Sequence, residues 1–254
     1  MKHFNVKLAT NDDEVRSAQR LRYQVFVEEM GCRLSAIDED GLDVDPFDPL
    51  CDHIIIVDLR TGETIGTYRL LRRSRVGPDG RFYADGEFDL TSIRLLPGEV
   101  LELGRSCVHK DYRRQAILNR LWAQIVAYIG KHRVTYMFGC SSVYTIAPEE
   151  VSRFYDVLRH KYAAPAECCV TPVKGHEVPG LASCVLKRDE EKEVLLRLPA
   201  LIRSYLKLGA RVCGPPAWDK EFGTVDFFML LKVADISRAY LQRLGIEEIK
   251  EVTA

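Results

Sequence analysis

Residues 101 to 133, LELGRSCVHKDYRRQAILNRLWAQIVAYIGKHR, pass from a strand pattern to a helix pattern within a few positions. No other feature of the chain limits its fold as strongly. Leu101 and Leu103 alternate as core positions, and Val108 resumes the apolar character. From about Tyr112 the period changes. Ile117, Leu121, Ile125 and Ile129 recur at helical spacing on one face, while Arg113, Arg114 and Arg120 lie off it. A strand feeding a long amphipathic helix is a unit of the α/β class.

The flanking segments extend that reading. In TNDDEVRSAQRLRYQVFVEEMG, Asn11 is a candidate N-cap with Glu14 three residues on, and Val15, Ala18, Leu21 and Val25 follow at helical spacing. Gly31 suits the C′ position. The acidic stretch LSAIDEDGLDVDPFDPLCD reads as an ordered loop, and HIIIVDLRTGETIGTYRLLRR as a hairpin turning at Thr61-Gly62. RVGPDGRFYADGEFDL reads as a loop with Gly77, Pro78 and Gly80. VTYMFGCSSV is a further strand, and Pro148 opens a helix through about Tyr162 with Val151, Phe154 and Leu158 on one side. Segment 163–193 is weakly patterned. PALIRSYLKLG then reads as a short helix, VDFFMLLKV as a strand and ADISRAYLQRLG as a closing helix. With no repeat or low-complexity linker, the expectation is one domain over 1–254 with its core at about 8–245.

Bulk properties narrow the function classes. Net charge is -1 with 46% apolar and 29% charged residues, so no global field points to nucleic acid. The opening MKHFNVKLATNDDEV has no signal-peptide core and no run of eighteen apolar residues occurs, which makes a cytoplasmic protein the expectation. Eight cysteines without a CxxC pair fit free thiols. Cys51/His53 and Cys107/His109 are spaced unlike a structural zinc knuckle, so no metal is expected.

Glu102 and Arg105 interrupt the central strand, with Gly104 between them. A charge there costs several kcal/mol unless it is paired or used. One reading is a buried ion pair without a chemical task; the other is a site. In a regular strand the two would face opposite sides, and a bulge at Gly104 would bring them nearer one side. Cys107 and His109 offer a rival Cys/His nucleophile, and His53 reads as a structural anchor of the loop.

The residues also form an ordered set of motifs. LRYQVFVEE carries Arg22 and Phe26; DVDPFD carries Asp45 and Asp48; GTYRLL carries Arg69; LELGRSCV carries Glu102 and Arg105. Their order resembles the GNAT acyltransferases, and within them the acyl-homoserine-lactone synthases and long-chain N-acyl amino acid synthases. FDPLCDHIIIVD, FYADGEFDL, LELGRSCVHKDYR, FGCSS and YLKLGARVCGPPAWDKEFGTVDFFMLL resemble the ornithine-lipid branch, the hemolysin-like acyltransferases. The likeness runs over about residues 15 to 240.

That resemblance implies an α/β GNAT-like fold with a mixed central sheet flanked by helices. It implies transfer of a long, 3-hydroxylated acyl chain from acyl carrier protein to an amino acid's α-amine, ornithine foremost, with no permanently bound cofactor and peripheral contact with the inner membrane through the lipid product. Glu102 and Arg105 are the implied catalytic residues. Arg22, Phe26, Asp45, Asp48, Arg69, Ser106, Cys107 and Val108 are implied around the substrate. Arg22 and Arg69 would either order the acidic loop through Asp45 and Asp48 or bind the substrate carboxylate. GNAT enzymes that use CoA carry glycines at the start of the long helix, where RRQAIL stands here. Their absence fits a carrier-protein donor docking on Arg113, Arg114 and Arg120. The lactone synthases carry a tryptophan where EEMGCRLS stands. A signal synthase, an N-acyl amino acid synthase using another amino acid, and a hemolysin-like binding or pore-forming protein remain the alternatives.

Overall fold

The computed structural model describes residues 3–34, 38, 40–76, 80–184 and 186–246, and of Gln115 only the backbone. Gly77, Pro78 and part of the acidic loop lie outside the described residues. In chain order the elements are β1 (Phe4–Leu8), α1 (Asp12–Tyr23), β2 (Asp52–Asp58), β3 (Thr64–Arg72), α2 (Arg73–Val76), β4 (Phe88–Asp89), α3 (Thr91–Arg94), β5 (Glu99–Val108) and α4 (Gln115–Lys131). There follow β6 (Val134–Val143), α5 (Pro148–Tyr162), β7 (Thr171–Pro172), α6 (Arg188–Arg197), α7 (Ala200–Leu208), β8 (Arg211–Val212), β9 (Ala217–Asp219), β10 (Thr224–Lys232) and α8 (Arg238–Arg243). They group into two compact units, one of residues 1–82, 99–134 and 241–254, the other of 83–98 and 135–240.

The first unit is built on four antiparallel strands in the order β1-β2-β3-β5. β2 places Ile54, Ile55 and Ile56 wholly inside, which explains its unbroken apolar run. Helix α1 covers one face. Its N-cap is Asn11, whose side chain accepts from the Glu14 N–H at 3.0 Å. The Glu14 carboxylate takes the Thr10 N–H at 2.9 Å and pairs with Lys7, so the capping box closes one residue early. Past Tyr23 the chain widens into a π-helical turn, Gln24–Glu29, and Gly31 follows with φ 72°. That left-handed position is the one glycine tolerates without strain. Helix α4 lies on the opposite face, where Trp122 meets the ring of Tyr68 edge-on at 6.4 Å.

Two local expectations for this unit are corrected. The bulge in β5 falls one residue after Gly104: Arg69 pairs with Gly104 and Thr67 with Cys107, so Tyr68 faces both Arg105 and Ser106. Arg105, not the glycine, takes the left-handed backbone, with φ 49°. Helix α4 begins at Gln115 rather than near Tyr112, because Lys110–Tyr112 forms a 3₁₀ turn and Arg114 is extended, with φ -120° and ψ 149°. Arg113 and Arg114 therefore precede the helix. β1 is an addition: it pairs antiparallel with β2 at the sheet's end.

The second unit centres on β10, which pairs antiparallel with β6 on one side and with β8 and β9 on the other. Phe228 stacks on Phe138 at 5.1 Å and meets Phe88 at 5.5 Å. The end of the weakly patterned segment begins α6, which periodicity missed because only Val194 among its ten residues is buried. Its start is held by Glu190, whose side chain accepts from the Lys187 N–H at 2.8 Å. Helix α7 ends at Gly209, whose φ of 113° stops it. The closing helix is shorter than its pattern suggests, since Val233–Asp235 forms a 3₁₀ turn ahead of α8. Among the described residues no helix is long and apolar enough to cross a membrane.

Candidate active site

Cross-strand partners in an antiparallel sheet share a face. His53 pairs with Arg69, Arg69 with Gly104, and Leu71 with Glu102. His53, Arg69, Gly104 and Glu102 therefore point to the α1 side, opposite Tyr68 and α4. The bulge brings Arg105 to this side too. Its Nη2 lies 3.4 Å from Asp45 Oδ2, the oxygen that pairs with Arg69. The expected common side for Glu102 and Arg105 is thus realised by the left-handed turn at Arg105, which costs of order 1–2 kcal/mol for a residue with a Cβ.

Four of the motif residues, with Asp43, build an ion cluster beneath α1. Arg22, fully buried, donates from Nη1 to Asp48 Oδ1 at 2.9 Å, from Nη2 to Asp48 Oδ2 at 2.8 Å and from Nε to Asp43 Oδ2 at 2.8 Å. The two Asp48 contacts form the planar fork that guanidinium and carboxylate share. Arg69 adds Nη1 to Asp48 Oδ1 at 3.1 Å and to Asp45 Oδ2, and lies over the Phe47 ring at 5.9 Å. Gln19 donates to Asp48 Oδ2 at 2.9 Å. Burial pushes the Asp48 carboxyl up, but the Arg22 hydrogen bonds and the charges of Arg22 and Arg69 outweigh it and hold the group well below the usual carboxylate range. Asp45 is lowered likewise: burial opposes, and the Arg69 charge prevails.

Of the two roles expected for Arg22 and Arg69, this geometry builds the ordering of the acidic loop. Phe26 is buried in the π-helical turn. His53 belongs to the same assembly, its Nε2 3.2 Å from the Asp48 carbonyl, and burial lowers it so that it stays neutral. The sequence reading missed Asp43, one of six aspartates in the stretch read as the acidic loop, where nothing marks which is inside.

Glu102 is buried on β5. β5 is otherwise an inside strand, but Gly104, Arg105 and Ser106 are half-exposed, and Cys107 and Val108 turn inside again. The Cys107 thiol is pushed up to about 12, burial being the main cause, so it stays protonated at neutral pH. His109 Nδ1 accepts instead from the Asp111 N–H at 3.4 Å, and its ring packs against Tyr112. The Cys/His nucleophile is therefore not assembled. Burial likewise pushes Cys51 up to about 12, with the charges of Asp48 and Glu102 adding and Arg69 opposing.

Beside the bulge, Arg113 pairs with Glu29 at 2.6 Å and donates from Nε to the Val108 carbonyl at 3.1 Å, tying the end of β5 to the π-helical turn. Arg114 is exposed at the N-cap of α4, and Arg120 is half-buried along it.

The described residues contain a trio of metal-type ligands, Glu87, Cys140 and Asp226, with ligand atoms within 4.8 Å of one another. Asp226 is pushed up to about 7 by burial and by the charge of Asp219, while hydrogen bonds from Ser142 and Thr224 pull it down.

Comparison with known proteins bears on this geometry. Residues 21–123 match the model of a GNAT acetyltransferase domain. The structure is similar to that of an N-acyl amino acid synthase from uncultured soil microbes, with a TM-score of 0.53, 13% identity, and 94% and 97% of the two chains covered. It is also similar to the acyl-homoserine-lactone synthase LasI, with a TM-score of 0.52, 14% identity, and 91% and 90% covered. Both likenesses are of fold: a mixed, mostly antiparallel sheet flanked by helices. The L-ornithine N(alpha)-acyltransferase of Rhodobacter capsulatus is 35% identical over 93% of each chain. That of Brucella abortus is 32% identical over 96% of this chain and 89% of its own. The chain is an acyltransferase and belongs to the L-ornithine N(alpha)-acyltransferase family.

Proposed function

We propose that the protein acylates the α-amine of ornithine with a long-chain, 3-hydroxylated fatty acyl group carried as a thioester on acyl carrier protein, giving a lyso-ornithine lipid. The observation that carries this reading is the placement of Glu102 and Arg105 on one face of β5, beside the half-exposed residues of the bulge. The relatives' name supports the acceptor.

A thioester is already activated, so neither a metal nor a protein nucleophile is needed. The neutral amine attacks the thioester carbonyl and a C–N bond forms. The tetrahedral oxyanion then collapses, the C–S bond breaks, and the pantetheine thiol leaves. Glu102 takes the proton from the attacking amine, directly or through a water, and returns it to the departing sulfur. Arg105 orients Glu102 and the acceptor. Backbone N–H groups from Ser106 to Val108 face the carbonyl oxygen. Arg22, Phe26, Arg69, Asp45 and Asp48 hold the loop and strand that carry these groups.

On the donor side the segment His109–Arg114 contains no left-handed residue and no glycine, so it lacks the open turn that cradles a pyrophosphate. A carrier protein presents one phosphate and an acidic surface, which Arg114 and Arg120 would meet, with Arg113 as their brace. Peripheral contact with the inner membrane would follow from release of the lipid product.

Incubation of the pure chain with matched acyl carrier protein and CoA thioesters and a panel of amino acids, read by mass spectrometry, tests the whole reading. Acyl-ornithine formed from the carrier-protein thioester is the expected product. A product only with S-adenosylmethionine, or none with any amine, would overturn it.

A further inference from the structure

Acylation of a diamino acid at its α-amine leaves a second ammonium to be recognised. We propose that Asp43 reads that side-chain ammonium and so selects a dibasic acceptor; the inference rests on the acyl transfer proposed above and names its specificity residue.

Asp43 has no exposed surface. Its Oδ2 takes Arg22 Nε at 2.8 Å and lies 3.5 Å from Arg105 Nε. Its carbonyl receives Arg22 Nη2, and its N–H donates to the Gln19 carbonyl at 3.3 Å. Oδ1, however, is buried and accepts no hydrogen bond among the described residues. The other aspartates of the cluster differ. Asp45 Oδ1 takes the Phe47 N–H at 2.9 Å, its Oδ2 takes Arg69, and both Asp48 oxygens are occupied. A buried carboxylate oxygen without a donor is a standing cost that native structures rarely carry without a use.

Charge points the same way. Arg22, Arg69 and Arg105 face the carboxyl groups of Asp43, Asp45 and Asp48, and Glu102 adds a further buried carboxyl on the same face of the sheet. His53 is neutral and does not offset it. A monoamino acid arrives as a zwitterion with no net charge, whereas a diamino acid brings one positive charge. The reacting α-amine must shed its proton, so the ammonium that stays charged is the second one. Asp43 Oδ1 is an oxygen of the cluster with a vacant acceptor site for it. Arg105 Nε stands 3.5 Å from the same carboxylate and its Nη2 3.4 Å from Asp45, both longer than the 2.8 Å of Arg22 Nε to Asp43. A shift of that side chain would admit the ligand and leave the Arg22 fork intact.

Calorimetric titration of the full chain with ornithine and with norvaline, which has the same carbon chain without the second amine, tests the assignment apart from turnover. The wild type is expected to prefer ornithine. In Asp43→Asn, ornithine should bind about 10- to 100-fold more weakly while norvaline changes little, so the preference collapses. A folded Asp43→Asn that keeps the wild-type ratio, or a wild type that does not distinguish the two ligands, overturns the proposal. Should Asp43→Asn fail to fold, Asp43→Glu retains the charge and the Arg22 contact with one more methylene. It should shift preference toward 2,4-diaminobutyrate, one methylene shorter than ornithine, and an unchanged preference would refute the role. Ornithine binding through Asp43 without any acylated product would leave this inference standing and remove the proposed reaction.

Discussion

Asp48→Asn is the sharpest probe of the scaffold beneath the site. Its two oxygens receive Arg22 twice, Arg69, Gln19 and the Asp45 N–H at 3.3 Å, all away from water. An asparagine keeps the shape but removes the charge, and its NH₂ would face Arg22 or Arg69 donors. Removing one partner of a buried pair costs about 3–5 kcal/mol, because the remaining charge stays desolvated. Here two guanidiniums lose a shared carboxylate, so the upper end of that range is expected. Denaturant unfolding followed by tryptophan fluorescence measures it. In a Trp218→Phe background, Trp122 against Tyr68 reports the first unit alone. The loss must also depend on pH. The folded-state pKa of Asp48 lies below its unfolded value, so its stabilisation is complete above the ordinary carboxylate range and fades as pH falls through the depressed folded value. The gap between wild type and variant should therefore be widest near neutrality and narrow in acid. A loss under about 1 kcal/mol at pH 7, or a gap that does not change with pH, would refute the reasoning, since exposed ion pairs behave that way.

Glu102→Gln should keep the fold and donor binding but lower turnover by roughly 10²-fold or more in single-turnover assays, as for a lost general base; wild-type turnover removes Glu102 from the mechanism. Cys107→Ser should retain most activity, and a variant as slow as Glu102→Gln would restore the thiol as a participant. Arg114→Glu should raise KM for the carrier-protein thioester and flatten its salt dependence, with little effect on the matching acyl-CoA, whose use is expected to be poor throughout. Asp226→Asn should raise Tm above neutral pH. Its wild-type carboxyl, pushed up to about 7, stays protonated in the fold while the unfolded chain has already ionised, so stability falls between the ordinary carboxylate range and about pH 7. Equal Tm gains at pH 4 and pH 8 would show that packing, not titration, explains the change.

Much of the site was legible because charge in an apolar strand is conspicuous. Glu102, Arg69 and Arg105 stand among Leu70, Leu71, Leu101 and Leu103, all of them inside, and no solvated position explains such charges. The acidic loop offered no such contrast. Asp43, Asp45 and Asp48 look like Asp38 and Asp40 until the fold closes over them, so Asp43 could not be told from a surface residue. The bulge was misplaced by one residue for a related cause. Local propensity assigns a left-handed turn to Gly104, and tertiary charge moved it to Arg105. Helix α6 was invisible because its face is charged, and its start rests on Glu190 rather than on an apolar stripe.

That displacement ties the scaffold to the chemistry. A left-handed arginine persists only where its surroundings hold it, and what holds Arg105 is Asp43 and Asp45, which Arg22 and Arg69 fix in turn. With glycine in that role the chain would turn at no conformational cost, but no side chain would issue from the turn. With arginine, the strained residue is also the one presented beside Glu102. The cluster under α1 therefore does two things at once: it closes the acidic loop, and it keeps β5 bent where its backbone opens to solvent. Weakening Asp45, which touches Arg105 directly, should relax the turn at Arg105 before it unfolds the unit, so mild variants there should lose turnover ahead of stability.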